Sequence, residues 1–375
     1  MLQALLLGSC LLLPAIHGAL FPPPTGNFNT SLTITQLTDY TRRDPYAPTP
    51  QPRSLMVSVF QPTTCMAGPT PYMDPLTAAF VDANVVPSGV LPPGTFESLS
   101  FFNCPTIPRH QEKPFPLLLF STGMGDPRLY YSFLAQAIAS TGYVVITIDH
   151  PFDANIVVYP NNRTVLAANI TDDEQSLTFD LNVRTQDVIF VLDEVSRPSL
   201  IEILPVFEQL DVSRVGVFGH SLGGATAAQA MFVDERFAGG MNLDGMMFGS
   251  VVDRGLHKPF VLWGHTGHST LPGADFDLTW ATFWSKLTGF KRELSLEGSA
   301  HGTFTDLPEV VDVLGLSGIL PPEVSQLLGT IDGTRALKVI STYVVSFFDF
   351  VLKGKGVGLL EGPSPEFPEV IFVNH

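Results

Sequence analysis

Apolar and polar positions along this chain fall into blocks whose lengths switch between those of buried strands and those of covering helices. Leu117 to Ser121 is a short, uninterrupted apolar run bounded by Pro116 and Gly123, the pattern of a parallel strand buried on both faces. From there the spacing predicts a helix over Leu129 to Ser140, a β-branched strand over Tyr143 to Ile148 and a helix over Asn182 to Val195. A strand over Arg214 to Phe218 and a helix of small residues over Leu222 to Val233 follow. Further strands are expected at Gly239 to Leu243, Pro259 to Trp263 and Lys291 to Leu296. A last helix should run from Thr334 to Leu352 and stop at Gly354, Gly356 and Gly358, residues that adopt left-handed backbone at little cost. Strands alternating with helices imply an α/β fold with a mostly parallel central sheet and helices on both faces. Sheets of that kind place their chemistry at the carboxyl ends of the strands.

The ends of the chain read differently. Leu2 to Ile16 is an uncharged apolar run, broken by Pro14 and followed by Gly18 and Ala19, too short to span a bilayer and shaped like a secretory signal peptide over residues 1–18. Residues 19–53, rich in Pro, Thr and Asn, read as an irregular arm laid over the surface. The catalytic domain is placed at 54–353, opening on a strand at Ser54 to Phe60. Its Pro- and Gly-rich segment 61–116, with one helical patch at Thr77 to Asn84, reads as an insertion or lid. A polar segment from Ile156 to Leu181 interrupts the rhythm, and residues 354–375, with Pro363, Pro365 and Pro368, are expected to form an irregular tail.

Composition narrows the partners. A chain of 375 residues with 45% hydrophobic content can bury a large core, and its formal net charge of −16 repels phosphate backbones and anionic membrane surfaces, so nucleic acid is a poor candidate ligand. Past the leader no stretch has the roughly 18 apolar residues of a membrane span. Cys10 would leave with the leader, which makes Cys65 and Cys104 a candidate disulfide pair, as an oxidising compartment allows. Sequons at Asn29, Asn162 and Asn169 fit the same secreted, extracellular setting.

The chemistry is carried by Gly219, His220, Ser221, Leu222 and Gly223, a G-x-S-x-G motif between a predicted strand and a predicted helix. A serine on so sharp a turn needs small neighbours, and the helix behind it aims free amides at a developing negative charge. A serine hydroxyl also needs a base, and on an α/β-hydrolase fold the order is Ser, acid, His. His301 satisfies that order, in the loop Gly298 to Gly302 just past the strand that ends at Leu296.

The acid is expected at Asp244. In many α/β-hydrolases it lies in a W-G-x-x-D turn two strands after the nucleophile, but here Trp263 and Gly264 lead to Gly267 with no carboxylate at the expected place. One strand earlier, Asn242 to Gly245 put Asp244 at a strand end, with Asp275 and Asp277 as competitors farther along. The backbone amides of Met124, in the loop Gly123 to Gly125, and of Leu222 are the expected oxyanion donors. His265 and His268 form an H-x-x-H pair with no third ligand in view, so neither metal nor cofactor is expected.

Taken in order, Phe120 to Gly125, Gly219 to Gly224, Asn242 to Gly245 and Ser299 to Phe304 resemble the plasma-type platelet-activating factor acetylhydrolase family, over most of the chain from Ser54 to about Leu352. That family also takes its acid one strand early. The resemblance implies Ser221, Asp244 and His301 as triad, Met124 and Leu222 as oxyanion donors, and calcium-independent hydrolysis of short or oxidised acyl chains from the middle glycerol position of phospholipids. Thr122 departs from the family, where a histidine commonly precedes the glycine, as do the segment from Cys65 to Cys104 and the acidic balance. The Pro-rich form resembles fungal members. The expected function is therefore a secreted serine carboxylic ester hydrolase acting on a small-molecule or lipid ester. A broader esterase of polyester or plant-wall esters is the alternative within enzymes, and a catalytically silent binding protein of the same fold is the alternative outside them.

Overall fold

In the computed structural model of the protein, which describes residues 18–84, 91–105, 114–198, 210–273, 275–318 and 320–375, successive residues of the first apolar run point to opposite faces of a central sheet. Leu117 and Leu119 enter one core, Leu118 and Phe120 the other. The expected signal peptide at residues 1–18 lies, but for Gly18, outside the described residues.

Nine strands form the sheet: β1 (Asn29–Arg43), β2 (Pro52–Thr63), β3 (Phe115–Ser121), β4 (Val144–Ile148), β5 (Leu210–His220), β6 (Phe237–Leu243), β7 (Phe260–His265), β8 (Lys291–Leu296) and β9 (Val370–Asn374). Their spatial order is β1-β2-β4-β3-β5-β6-β7-β8-β9. The six from β4 to β8 are mutually parallel; β2 and β9 run against them, and β1 pairs antiparallel with β2 at one edge. One face is covered by α1 (Ser132–Ala139) and α5 (Gly333–Lys353). The other is covered by α2 (Glu174–Val195), α3 (Leu222–Val233) and α4 (Leu278–Lys286). The α/β arrangement expected from the sequence is the one observed.

Three expectations at the ends are corrected. The arm at 19–53 is not irregular, because β1 fills fifteen of its residues and pairs with β2 from Asn29↔Thr63 to Asp39↔Arg53. Its Thr-rich stretch is good strand material. As an edge strand it shows polar side chains to solvent, so it lacks the continuous apolar run of the inner strands. The tail is not irregular either: Val370–Asn374 begins just past Pro368 and closes the other edge against β8. Helix α2 starts eight residues before its expected Asn182, at Glu174, where the Asp173 side chain accepts the Ser176 amide as N-cap. The last helix ends as expected, with Gly354 at φ 63°.

The segment 61–116 packs on the body through aromatic contacts, Tyr72 stacking on Phe133 at 4.7 Å and Phe101 meeting the same ring edge-on. Tyr72 also donates to the buried Asp306. A disulfide joins Cys65 to Cys104, with Cα atoms 6.0 Å apart. The three sequon asparagines are all exposed.

Because that bridge closes a loop between positions 39 apart, its removal should release chain entropy in the unfolded state worth about 3–4 kcal/mol. Urea unfolding of the Cys65→Ser/Cys104→Ser protein should show a midpoint lowered to match, and an unchanged midpoint would mean that the bridge adds nothing.

Candidate active site

Three strand ends, those of β5, β6 and β8, build the site. Strand β5 runs straight into Ser221, whose backbone sits at φ 54°, ψ −129°, and α3 departs at the next residue. An L-residue held there costs on the order of 1–3 kcal/mol, and the surroundings enforce it. A Cβ on Gly219 would stand 2.3 Å from the Gly223 carbonyl oxygen, and one on Gly223 would stand 2.1 Å from that of Ser121. The motif's glycines are thus explained by backbone packed on backbone.

Strand β6 ends in a second strained residue, Asp244 at φ 60°. The buried Asn242 side chain holds this turn, accepting the Gly245 amide and donating to the Gly245 carbonyl, both at 2.7 Å. The two turns interlock: a Cβ on Gly245 would lie 1.8 Å from the Ser221 carbonyl oxygen, and one on Gly224 would lie 2.0 Å from Asn242 Oδ1. Beyond β8, His301 opens a short 3-10 turn.

The structure brings Ser221, Asp244 and His301 into one hydrogen-bonded chain. His301 Nε2 lies 3.0 Å from Ser221 Oγ, and His301 Nδ1 lies 2.6 Å from Asp244 Oδ2. The His301 ring is 45% exposed while the Asp244 side chain is fully buried, so the nucleophile end is reachable and the acid end is not. Burial alone would raise the Asp244 pKa, but donors on His265, His268 and His301 outweigh it and hold the carboxyl well below the usual range.

Two of those donors were not anticipated as parts of the triad. His265 is the last residue of β7, and both its amide (2.9 Å) and its Nδ1 (2.8 Å) face Asp244. His268 is buried, with Nδ1 2.6 Å from Asp244 and Nε2 3.0 Å from Asp277. The signal was present in the sequence. The turn that ends β7 has Gly267 where a triad acid would stand and carries His265 and His268 on either side of it. Asp277 accepts the Thr279 and Trp280 amides as N-cap of α4, which puts it one imidazole away from the acid. Asp244, His265 and His301 also bring ligand atoms within 4.8 Å of one another, but a cation there would have to displace the ring protons that face the carboxylate.

His220, next to the nucleophile, supports the base. Its Nε2 donates to the His301 carbonyl at 3.0 Å and its ring lies 4.6 Å from that of His301, tilted by 40°, while Tyr131 Oη meets its Nδ1 at 2.8 Å. Burial lowers its proton affinity.

The oxyanion loop is fixed from below. The buried guanidinium of Arg184 takes the carbonyls of Thr122 (2.7 Å) and Gly123 (3.2 Å), while Tyr131 Oη accepts the Gly123 amide and Asp153 the Gly125 amide. Among the described residues, the Met124 amide between them has no acceptor, and neither does the Leu222 amide at the start of α3. These are the two amides expected from the sequence to receive an oxyanion.

A second Ser, His, Asp chain lies beneath. Ser121 Oγ sits 2.9 Å from His150 Nε2, and His150 Nδ1 sits 2.9 Å from Asp187. All three side chains are buried, and Asp187 is paired with Arg53. Burial and the neighbouring Arg184 push His150 down to about 4, so it stays neutral. This chain ties β3 to β4 and α2.

Comparison with known proteins gives a consistent set of relatives. Residues 102–197 and 199–355 match the family described as platelet-activating factor acetylhydrolase, isoform II. The chain is 33% identical over 383 residues to a probable 1-alkyl-2-acetylglycerophosphocholine esterase of Arthroderma benhamiae, covering 95% of this chain and 94% of that one. It is 25% identical over 269 residues to the platelet-activating factor acetylhydrolase of Cavia porcellus, covering 62% of this chain and 56% of the relative. Among solved structures, a ferulic acid esterase from Streptomyces cinnamoneus superposes with a TM-score of 0.81 at 33% identity, over 95% of this chain and 100% of that one.

The two Ser, His, Asp chains should separate cleanly by mutation. Asp244→Asn should lower kcat about 10⁴-fold by favouring the wrong His301 tautomer. Ser121→Ala should leave kcat within about threefold while costing about 1–3 kcal/mol for the partner left unsatisfied, read by ester hydrolysis and urea unfolding.

Proposed function

The chain belongs to the platelet-activating factor acetylhydrolase isoform II family and is a carboxylic ester hydrolase, and from that premise we propose that it cleaves short acyl esters of an amphiphilic alcohol, an acetylated glycerophospholipid in the first instance, through an acyl-Ser221 intermediate. The carrying observation is the reachable chain from Ser221 Oγ to His301 to the buried Asp244, at 3.0 and 2.6 Å.

In this reading Ser221 Oγ attacks the ester carbonyl while His301 Nε2 takes its proton, and Asp244 stabilises the resulting imidazolium. The carbonyl oxygen, now negative, meets the amides of Met124 and Leu222 and the positive end of α3. His301 returns the proton to the departing alcohol as the C–O bond breaks, leaving the acyl group on Ser221. Water then enters, gives its proton to His301 and attacks the acyl carbon. The proton returns to Ser221 Oγ as the acid leaves.

The surroundings favour an amphiphile. Met124, Met246 and Leu327 are exposed apolar side chains set beside the oxyanion loop, the Asp244 turn and the His301 turn. A net charge of −16 favours a zwitterionic or neutral head over an anionic lipid surface. A second reading, hydrolysis of plant-wall esters, is favoured by the likeness to a ferulic acid esterase over 95% of this chain. We also propose export and glycosylation, supported by the apolar run Leu2 to Ile16, the Cys65–Cys104 bridge and the exposed Asn29, Asn162 and Asn169. Among the described residues no helix is long and apolar enough to cross a membrane.

A substrate panel decides between the readings. The protein should hydrolyse a 2-acetyl ether phosphocholine, should slow steadily along a p-nitrophenyl series from acetate to octanoate, and should fall by about 10⁶ in kcat in Ser221→Ala. Hydrolysis of methyl ferulate with higher kcat/KM than the acetyl lipid would transfer the assignment to the second reading. Expression in a secreting host should yield protein in the medium that shortens on gels after endoglycosidase treatment, and retention in the cell would refute export.

A further inference from the structure

His268 presents one ring nitrogen to each of two carboxylates, Nδ1 at 2.6 Å from Asp244 and Nε2 at 3.0 Å from Asp277. Asp244 is an acceptor toward every partner it has, the His265 amide and ring and the His301 ring included. Asp277 is equally committed, its Oδ1 accepting the Thr279 amide and hydroxyl and the Trp280 amide. Two ionised carboxylates can be satisfied by one imidazole only if both of its nitrogens carry hydrogen.

From this geometry we propose that His268 is a permanently charged positioning residue for the reaction, an imidazolium locked between Asp244 and Asp277 that fixes the acid's orientation toward His301. The proposal rests on the triad reading above and extends it from three residues to five.

Everything packed on His268 is consistent with a cation held in place. Asp244 comes from the end of β6 and Asp277 from the cap of α4. The Trp280 ring of α4 lies 4.1 Å from its own, and among the described residues the titratable ring close to it is that of His265, at 5.4 Å. Burial by itself would strip the proton, but the two carboxylates prevail and push the ring up to about 9. The sign follows. A proton bound more tightly in the folded protein than at the ordinary histidine value of about 6.5 gives support that is complete below that value and is lost as pH rises through 9.

The division of labour is chemical. Oδ1 of Asp244 takes the amide of His265 and the charged ring of His268, while Oδ2 faces His301 at 2.6 Å and shares the His265 ring, whose Nδ1 lies 2.8 Å from both oxygens. A lone cation behind the acid would oppose the imidazolium that forms on His301 during attack. Asp277 offsets that charge, so the unit Asp244, His268 and Asp277 carries one net negative charge.

The test pairs a direct observation with kinetics. In the intact wild-type protein with ¹⁵N-labelled histidine, His268, assigned by its loss in His268→Gln, should read as doubly protonated at pH 8 and titrate near 9. A neutral ring at pH 8 would overturn the proposal whether or not any ester is hydrolysed, and fluorophosphonate labelling of wild type against Ser221→Ala separately judges the triad. His268→Gln should lose about 10–100-fold in kcat, as a small misorientation does, with KM within about threefold. It should also lose the alkaline limb of the wild-type pH profile. Asp277→Asn, which keeps a competent helix cap, should move that limb below 9, an effect that a purely structural role would not produce. An unchanged limb in Asp277→Asn, or wild-type kcat in His268→Gln, would refute the role.

Discussion

Ser221 is held on a backbone that L-residues rarely adopt, and the upper surface of the sheet is organised by the close approaches that hold it there. The contacts are mostly backbone on backbone: Gly219 and Gly223 against one another and against Ser121, and Gly245 against the Ser221 carbonyl. Strain of this kind persists only where neighbours over-determine it. The neighbours here are three adjacent parallel strands, β3, β5 and β6, whose register carries Ser121, Gly219 and Asn242 side by side. The elbow is therefore a property of the sheet as a whole, and the Asp244 turn is built on the same contacts. Displacing one strand end would move the nucleophile and the acid together, which keeps their relative geometry intact.

Moving the acid to β6 has an electrostatic consequence. A carboxylate at that position is fully buried, where an uncompensated charge is prohibitive. The end of β7 and the loop after it, freed from supplying the acid, supply donors to it: the amide and ring of His265 and the ring of His268. The same loop position serves the same triad from the opposite side of the hydrogen bond. Arg184 plays a comparable part below the oxyanion loop, where it takes two carbonyls and is itself neutralised by Asp153 and Asp180. Buried charge in this protein is spent on orientation, since removing either partner of such a pair is far costlier than forming it is rewarding.

The inner strands and the helices between them were legible because each reads as an apolar block of the right length, and Leu222–Val233 and Lys291–Leu296 were placed to the residue. The edges were not. Asn29–Arg43 and Val370–Asn374 have one flank in solvent, so their composition resembles that of loops and only pairing with β2 and β8 makes them strands. Within the site, residues whose role follows from motif order could be named in advance, and the structure brings Ser221, Asp244 and His301 within hydrogen-bonding reach of one another. The roles of His220, His265, His268 and Arg184 could not be assigned, although the H-x-x-H pair itself stood out. Their roles depend on which strand ends lie side by side, and no local pattern encodes that adjacency.

The buried chain of Ser121, His150 and Asp187 makes clear why distances between a serine, a histidine and an aspartate do not define a catalyst. Its spacings, 2.9 and 2.9 Å, match those of the exposed triad closely. Three physical differences separate them. Ser121 lies inside β3 on ordinary strand backbone, whereas Ser221 is thrust out at positive φ. The Met124 and Leu222 amides belong to the loop and the helix start that flank Ser221, while every part of the lower chain is sealed under the sheet. Most decisive is charge: the lower aspartate is paired with Arg53 and Arg42, and burial together with the nearby Arg184 lowers the proton affinity of His150, so an imidazolium is disfavoured there. In the upper chain His268 sits on Oδ1 of Asp244, while Oδ2, 2.6 Å from His301 Nδ1, can stabilise a new positive charge there. Catalytic competence here comes from access, strain and the direction in which a buried charge is left uncompensated.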